Sequence, residues 1–145
     1  MRAPRVIGAA LLTLGAGVYA DAPRVRVTRP RPGPTAGGCA LTAHTRWEGR
    51  YQCAQGETAL TLRVLGFAGD TLRAEFVFHH GPSGAAGRYT LRGRCAGDAV
   101  ALSPEAWVAR PPGYIMVGLH GRVTEPLFSG QIEHPSCGAF QVEGR

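Results

Sequence analysis

The 145-residue chain contains no lysine, and all sixteen of its basic residues are arginine. Only two of its three aspartates, Asp70 and Asp98, fall beyond residue 38. No two of its four cysteines are spaced Cys-x-x-Cys. Each shortage removes a class of function. Without a Cys-x-x-Cys pair, neither a zinc knuckle nor a thioredoxin-like redox site is indicated. Both aspartates sit in Ala-Gly-Asp turns, so a Ser-His-Asp arrangement lacks the acid that orients its histidine. Glu48, Glu75 and Glu133 fall on polar strand faces and do not replace it. The net charge of +6 is unevenly placed. Residues 1–38 hold six arginines and one acid (+5), and residues 39–145 hold ten arginines and nine acids (+1). Nucleic-acid binding would need the excess on the folded part, so no nucleic-acid partner is expected.

The length suits one domain with appendages. Residues 1–22 read as a secretory signal: Arg2 and Arg5 precede an apolar stretch from Val6 to Val18, followed by two small-x-Ala cleavage patterns ending at Ala20 and Ala22. Thirteen helical residues span roughly 20 Å, short of a hydrocarbon core of about 30 Å, so cleavage is expected rather than anchoring, with no stable membrane insertion afterwards. Residues 23–38, rich in Pro, Arg and Gly, lack apolar periodicity and read as an extended linker. The folded part is then 39–145, in an extracytoplasmic compartment, periplasmic or secreted. There Cys39, Cys53, Cys95 and Cys137 form two disulfides by default.

Beyond residue 46 the apolar period is two almost everywhere. Trp47, Gly49, Tyr51 and Cys53 share a face; so do Leu60, Leu62 and Val64, then Leu72, Ala74, Phe76 and Phe78. Tyr89, Leu91, Gly93 and Cys95 follow, then Val100 and Leu102, then Ile115, Val117, Leu119 and Gly121. Phe128, Gly130 and Ile132, then Phe140 and Val142, close the series. Gly69-Asp70 and Gly97-Asp98 are hairpin turns. "HHGPSGAAG" reads as a longer loop. "SPEAW" reads as one short helical turn carrying Trp107, because Ser103 suits an N-cap, Pro104 the first helical position and Glu105 the positive end. The expected fold is all-β: a small antiparallel up-and-down, calycin-like β-barrel of about eight strands with one short helical turn. Closure pairs the first strand with the last, bringing Cys53 opposite Cys137 and leaving Cys39 for Cys95. Two other connectivities remain open in the sequence. Trp47 is expected to plug or cover one end, and Gly49 to permit close approach.

These residues carry a resemblance. "W-x-G-x-Y-x-C-x-Q-G", "L-T-L", "F-V-F", "L-S-P-E-A-W", "P-P-G-Y-I-M-V-G-L-x-G" and a final "C-x-x-F" resemble an uncharacterised extracytoplasmic bacterial β-domain family, over roughly residues 47–143. The resemblance implies a domain found behind signal peptides or appended to larger proteins, with no catalytic or binding residue to carry over. It also implies that the Cys53 and Cys137 positions belong to the pattern, with Cys39 and Cys95 as additions paired to each other. Trp47-x-Gly49-x-Tyr51 is more distantly similar to calycin barrels of the lipocalin and avidin type, which bind small ligands. Tyr51-x-Cys53 and Ser83-Gly84-Ala85 before Tyr89 are faintly similar to periplasmic lysozyme inhibitors, with a different spacing.

Chemistry is sparsely signalled. An oxidised Cys137 near His134 cannot act as a nucleophile. His79 and His80 are adjacent on a strand and point to opposite faces, so they cannot share a metal. "GPSGAAG" lacks the Lys-Ser/Thr of a phosphate loop. The expectation is a non-enzymatic binding domain without cofactor or metal, whose partner is an unidentified small ligand, glycan or envelope protein. The candidate site is one barrel mouth, built from His80, Ser83, Arg88, Trp107 and Tyr114. The alternative is a protein-interaction module or inhibitor acting through residues 79–88. A hydrolase of unstated type is third.

Overall fold

The computed structural model of the chain describes residues 38–145. The expected signal segment 1–22 and nearly all of the expected linker 23–38 lie outside the described residues. Eight strands follow one another: β1 (Arg46–Cys53), β2 (Gly56–Ala68), β3 (Thr71–His80), β4 (Ala85–Ala96), β5 (Ala99–Ala109), β6 (Gly118–Thr124), β7 (Leu127–Glu133) and β8 (Ala139–Gly144). Each pairs antiparallel with the next, and β1 pairs with β8, so the sheet closes into an up-and-down barrel. Closure leaves no strand without two neighbours over at least part of its length, the structural remedy for exposed edges.

Period-two alternation explains the interior. Trp47, Leu62, Leu72, Phe76, Tyr89, Leu91, Leu119 and Phe128 are almost wholly buried, while the intervening Arg, Glu and Gln positions face outward. The β2–β3 and β4–β5 hairpins turn at Gly69 and Gly97, both at positive φ (61° and 62°), which glycine adopts without steric cost. Both disulfides fall as closure requires: Cys53 with Cys137, and Cys39 with Cys95. They join positions 84 and 56 residues apart. In the chain-entropy treatment each restricts the unfolded chain by about 4 kcal/mol.

The two ends differ. At the end where β1 starts, a 3-10 turn (Ala40–Ala43) lies across the opening and buries Leu41 completely. The Trp47 indole N–H donates to the carbonyls of Leu41 (3.0 Å) and His44 (3.2 Å), so the tryptophan fills this end and holds the covering turn. The Cys39–Cys95 bridge fixes the same turn to the end of β4. The opposite end is framed by the β1–β2 turn, the β3–β4 turn, the 110–117 segment between β5 and β6, and residues 134–138.

Three expectations are corrected. "SPEAW" is not helical; it is the outer half of β5, and the one short helical turn lies at Ala40–Ala43 instead. Val100 and Leu102 face inward, and strict alternation would turn Trp107 outward. The β4–β5 register instead absorbs an extra residue at Glu105 and another at Val108, since Leu91 pairs with Pro104, Thr90 with Ala106, Tyr89 with Trp107 and Arg88 with Ala109. The bulge at Glu105 re-aims Trp107 toward the interior, and the one at Val108 lies beyond it. Pro104 is tolerated because its ring faces Gly118, just where β5–β6 pairing ends at Leu102–Leu119. Second, Ile115 is not inward: residues 110–117 are not strand, and Ile115 is 55% exposed. Third, the loop after His80 is a four-residue turn, because β3 extends to His80 and β4 begins at Ala85.

Gly49 tests how tightly the seam is closed. A Cβ placed there would overlap the Gln141 carbonyl and backbone of Val142 in β8. Gly49→Ala should therefore destabilise the protein by about 1–3 kcal/mol in urea unfolding. Gly81→Ala, where a Cβ meets nothing within 4 Å, should change stability by less than about 0.5 kcal/mol.

Candidate functional site

The open end holds a cavity of about 320 Å³. Its lining comes from three of the surrounding connections and from two strands: Tyr51 and Gln55 around the β1–β2 turn, Phe78 and Tyr89 within β3 and β4, Tyr114, Ile115 and Val117 from the 110–117 segment, and His134 and Ser136 beside the Cys53–Cys137 bridge. Among the described residues, no arginine, aspartate or glutamate contributes to it. Below it the barrel is filled by side chains such as Phe76, Leu62 and Leu91.

The 110–117 segment is held over this end by Tyr89. The buried phenol donates to the Val117 carbonyl (2.8 Å) and accepts from the Val117 N–H (3.0 Å). Gly87 leaves room for Pro111, whose ring would collide with any Cβ there. Tyr114 then stacks on Phe78, with ring centroids 5.1 Å apart, and Trp107 meets Phe78 and Tyr89 edge-on. Arg110 lies 5.7 Å over the Trp107 ring, on the outer side of this aromatic group.

The polar groups of the lining are organised. The Thr58 hydroxyl gives its proton to the Gly56 carbonyl (3.1 Å), so it accepts from Gln55 (3.0 Å), which places the amide nitrogen of Gln55 on that side. The same nitrogen lies 3.4 Å from the Tyr51 hydroxyl, which accepts from it. Burial pushes the Tyr51 phenol well above its ordinary ionisation range, reinforced by nearby Tyr114 and opposed by Thr58 and Gln55. Burial does the same to Tyr89, against the opposing bond to Val117. His134 Nδ1 accepts from the Ser136 backbone N–H (3.0 Å), so the ring's remaining N–H is at Nε2.

The structure distributes the five residues expected at the mouth. Tyr114 lines the cavity, and Trp107 packs immediately behind its wall. His80 points inward and is 8% exposed, with Nδ1 2.7 Å from the Ser83 hydroxyl. That hydroxyl also accepts from the Ala85 N–H (3.2 Å), so the pair pins the β3–β4 turn at the rim. Arg88 is not part of the mouth: it faces outward on β4, between the inward Gly87 and Tyr89. Sequence reasoning missed Gln55, His134, Ser136 and Val117 as lining residues. The geometric argument that paired Cys53 with Cys137 carried a signal for the first three, since that bridge draws their loops together.

Among the described residues no carboxylate approaches His80 or His134 within hydrogen-bonding distance, so there neither Ser–His neighbour pair has the third group that a nucleophilic serine requires. His120 pairs with Glu133 on the outer surface (2.9 Å), and His44 contacts Glu125 at the closed end. Among the described residues no three metal-ligating side chains converge. Among the same residues no helix is long and apolar enough to cross a membrane. No family model matches the chain, and neither a curated protein nor a solved structure matches it.

Two outcomes follow from the tyrosines. Tyr89→Phe leaves the Val117 N–H and carbonyl without their buried partner; stability should fall by about 1–3 kcal/mol, with faster amide exchange confined to 114–117. The two buried phenols favour the neutral form in the folded state. Their contribution is therefore complete below the ordinary phenol value of 10.0 and is lost as pH rises above it. Urea midpoints should hold between about pH 7 and 9 as far as these groups are concerned, then decline above about pH 10, and less steeply in Tyr51→Phe.

Proposed function

We propose that the chain is an extracytoplasmic, non-enzymatic binding domain that takes a small uncharged ligand or glycan into the mouth of its barrel. The observation that carries this reading is the neutral, aromatic-walled cavity at one end of a barrel that is otherwise filled. A rigid closed sheet positions four connecting segments around one opening, the arrangement that small-ligand sites commonly use. The polar groups there orient a guest but lack the paired acid and base, or activated nucleophile, that hydrolysis demands. Pairing of all four cysteines fits an oxidising compartment. The leader-like residues 1–22 point the same way, to periplasm or secretion, with 23–38 as the spacer that follows. The inhibitor reading through residues 79–88 has less to stand on, because the turn at 81–84 is short and tied back by Gly84 N–H to the His80 carbonyl (2.8 Å).

The test is a fragment and monosaccharide screen of the oxidised full chain, by thermal shift and then by amide chemical-shift mapping. Ligands should perturb Ala54, Tyr114, Ile115 and Ser136 together, and Tyr114→Ala should weaken them by about tenfold or more through loss of the ring wall. Shifts confined to 79–88, or retention of an envelope protein with the mouth unperturbed, would move the function to the rim.

A further inference from the structure

The cavity's chemistry narrows the guest further. Resting on the reading of the mouth as the binding site, we infer that it selects a flat, uncharged aromatic molecule of one or two rings bearing a hydrogen-bond acceptor such as an amide or ketone carbonyl. Four observations converge on that class.

The first is charge. Among the described residues the lining holds no arginine, aspartate or glutamate. Its one histidine already accepts a backbone N–H at Nδ1, which requires that nitrogen to be unprotonated. An ionised guest would leave water without a counter-charge, a steep cost in so apolar a setting. The second is shape. Tyr51, Phe78, Tyr89 and Tyr114 supply aromatic walls, and the Cys53–Cys137 sulfurs supply polarisable surface that favours ring contacts. The third is size: about 320 Å³ lies at the low end of the roughly 300–1,000 Å³ of small-molecule pockets.

The fourth is polarity. The Tyr51 residue is 4% exposed, and its hydroxyl accepts from Gln55 and also meets the Thr58 hydroxyl, so its own proton is the one it can turn from Thr58 to a guest. His134 offers Nε2–H for the same reason at its other nitrogen. The lining thus carries two oriented neutral donors among rings. A sugar would bring several hydroxyls that each need a donor and an acceptor, and the Gln55 carbonyl oxygen and Ser136 hydroxyl are few to meet them.

The experiment titrates the oxidised full chain with a matched set: benzamide, 2-naphthamide, benzoate, benzylammonium, cyclohexanecarboxamide and N-acetylglucosamine, followed by amide shifts and calorimetry. Benzamide and 2-naphthamide should bind at the mouth at least about tenfold more tightly than the other four. Tyr51→Phe and His134→Asn should each weaken the aromatic amides by about three- to tenfold, with melting temperatures close to the parent. Asparagine keeps an acceptor for the Ser136 N–H while removing the Nε2 donor, so it guards against a merely structural effect. A charged, saturated or sugar probe binding the mouth as well as benzamide overturns this inference and leaves the mouth reading standing. Equal affinity of parent and both variants also overturns it. If no probe and no screened fragment shifts the mouth residues, the mouth reading falls and the inference with it.

Discussion

Everything in this barrel depends on the pairing of its first strand with its last. β1 and β8 run antiparallel from Trp47–Gly144 to Tyr51–Phe140. That seam converts eight short strands, none stable alone, into a surface with an inside. It is also among the tightest places in the sheet, where Gly49 lets the backbone of β8 come closer than any side chain would allow. The Cys53–Cys137 bridge reinforces the seam at the open end. Because the loops at that end are carried on the same strands, the geometry of the mouth inherits the precision of the closure.

The interior of a barrel cannot be uniform. The lower half is filled, with Phe128 set edge-on between Trp47 and Phe140. Toward the mouth the stacked Phe76–Tyr89 pair (4.8 Å) gives way to tyrosines, a glutamine and a histidine. Polar atoms are admitted only where a backbone or side-chain partner fixes them, as Val117 fixes Tyr89 and Thr58 fixes Gln55. Such a gradient from packed core to organised polarity distinguishes this mouth from a barrel end that is merely unfinished.

The eight inward-facing sets were legible because a half-buried strand repeats every two residues, and each set beyond the first needed only its Leu, Val, Ile or aromatic residues to declare itself. Legibility failed wherever the period broke. Trp107 sits an odd number of residues from Leu102, and Ser-Pro-Glu fits a helix start; a single bulge at Glu105 absorbs the break instead. A bulge has no composition of its own, so nothing in "SPEAW" separates the two solutions. Ile115 failed for a related reason: the 110–117 segment is positioned by a phenol 28 residues away, a long-range bond invisible to local pattern. Arg88 failed by parity alone, since its neighbours Gly87 and Tyr89 were already claimed by the interior. Glu105, the bulged residue, is held by Arg73 (2.8 Å), which draws its carboxyl below the ordinary range. That tie, too, could be known only once β3 and β5 had been placed on either side of β4.

The ends of the described chain meet on one side. Gly38 is bonded to Gly97 beside the covering 3-10 turn, and Arg145 is bonded to Arg46 at the start of β1. Both lie at the end opposite the cavity. A domain whose chain enters and leaves through its closed base can be spliced into a loop of another protein, fused at either side, or circularly permuted, with its opening still turned to the solvent. The barrel is thus built as a portable cup, and evolution or an engineer can move it without redesigning its rim.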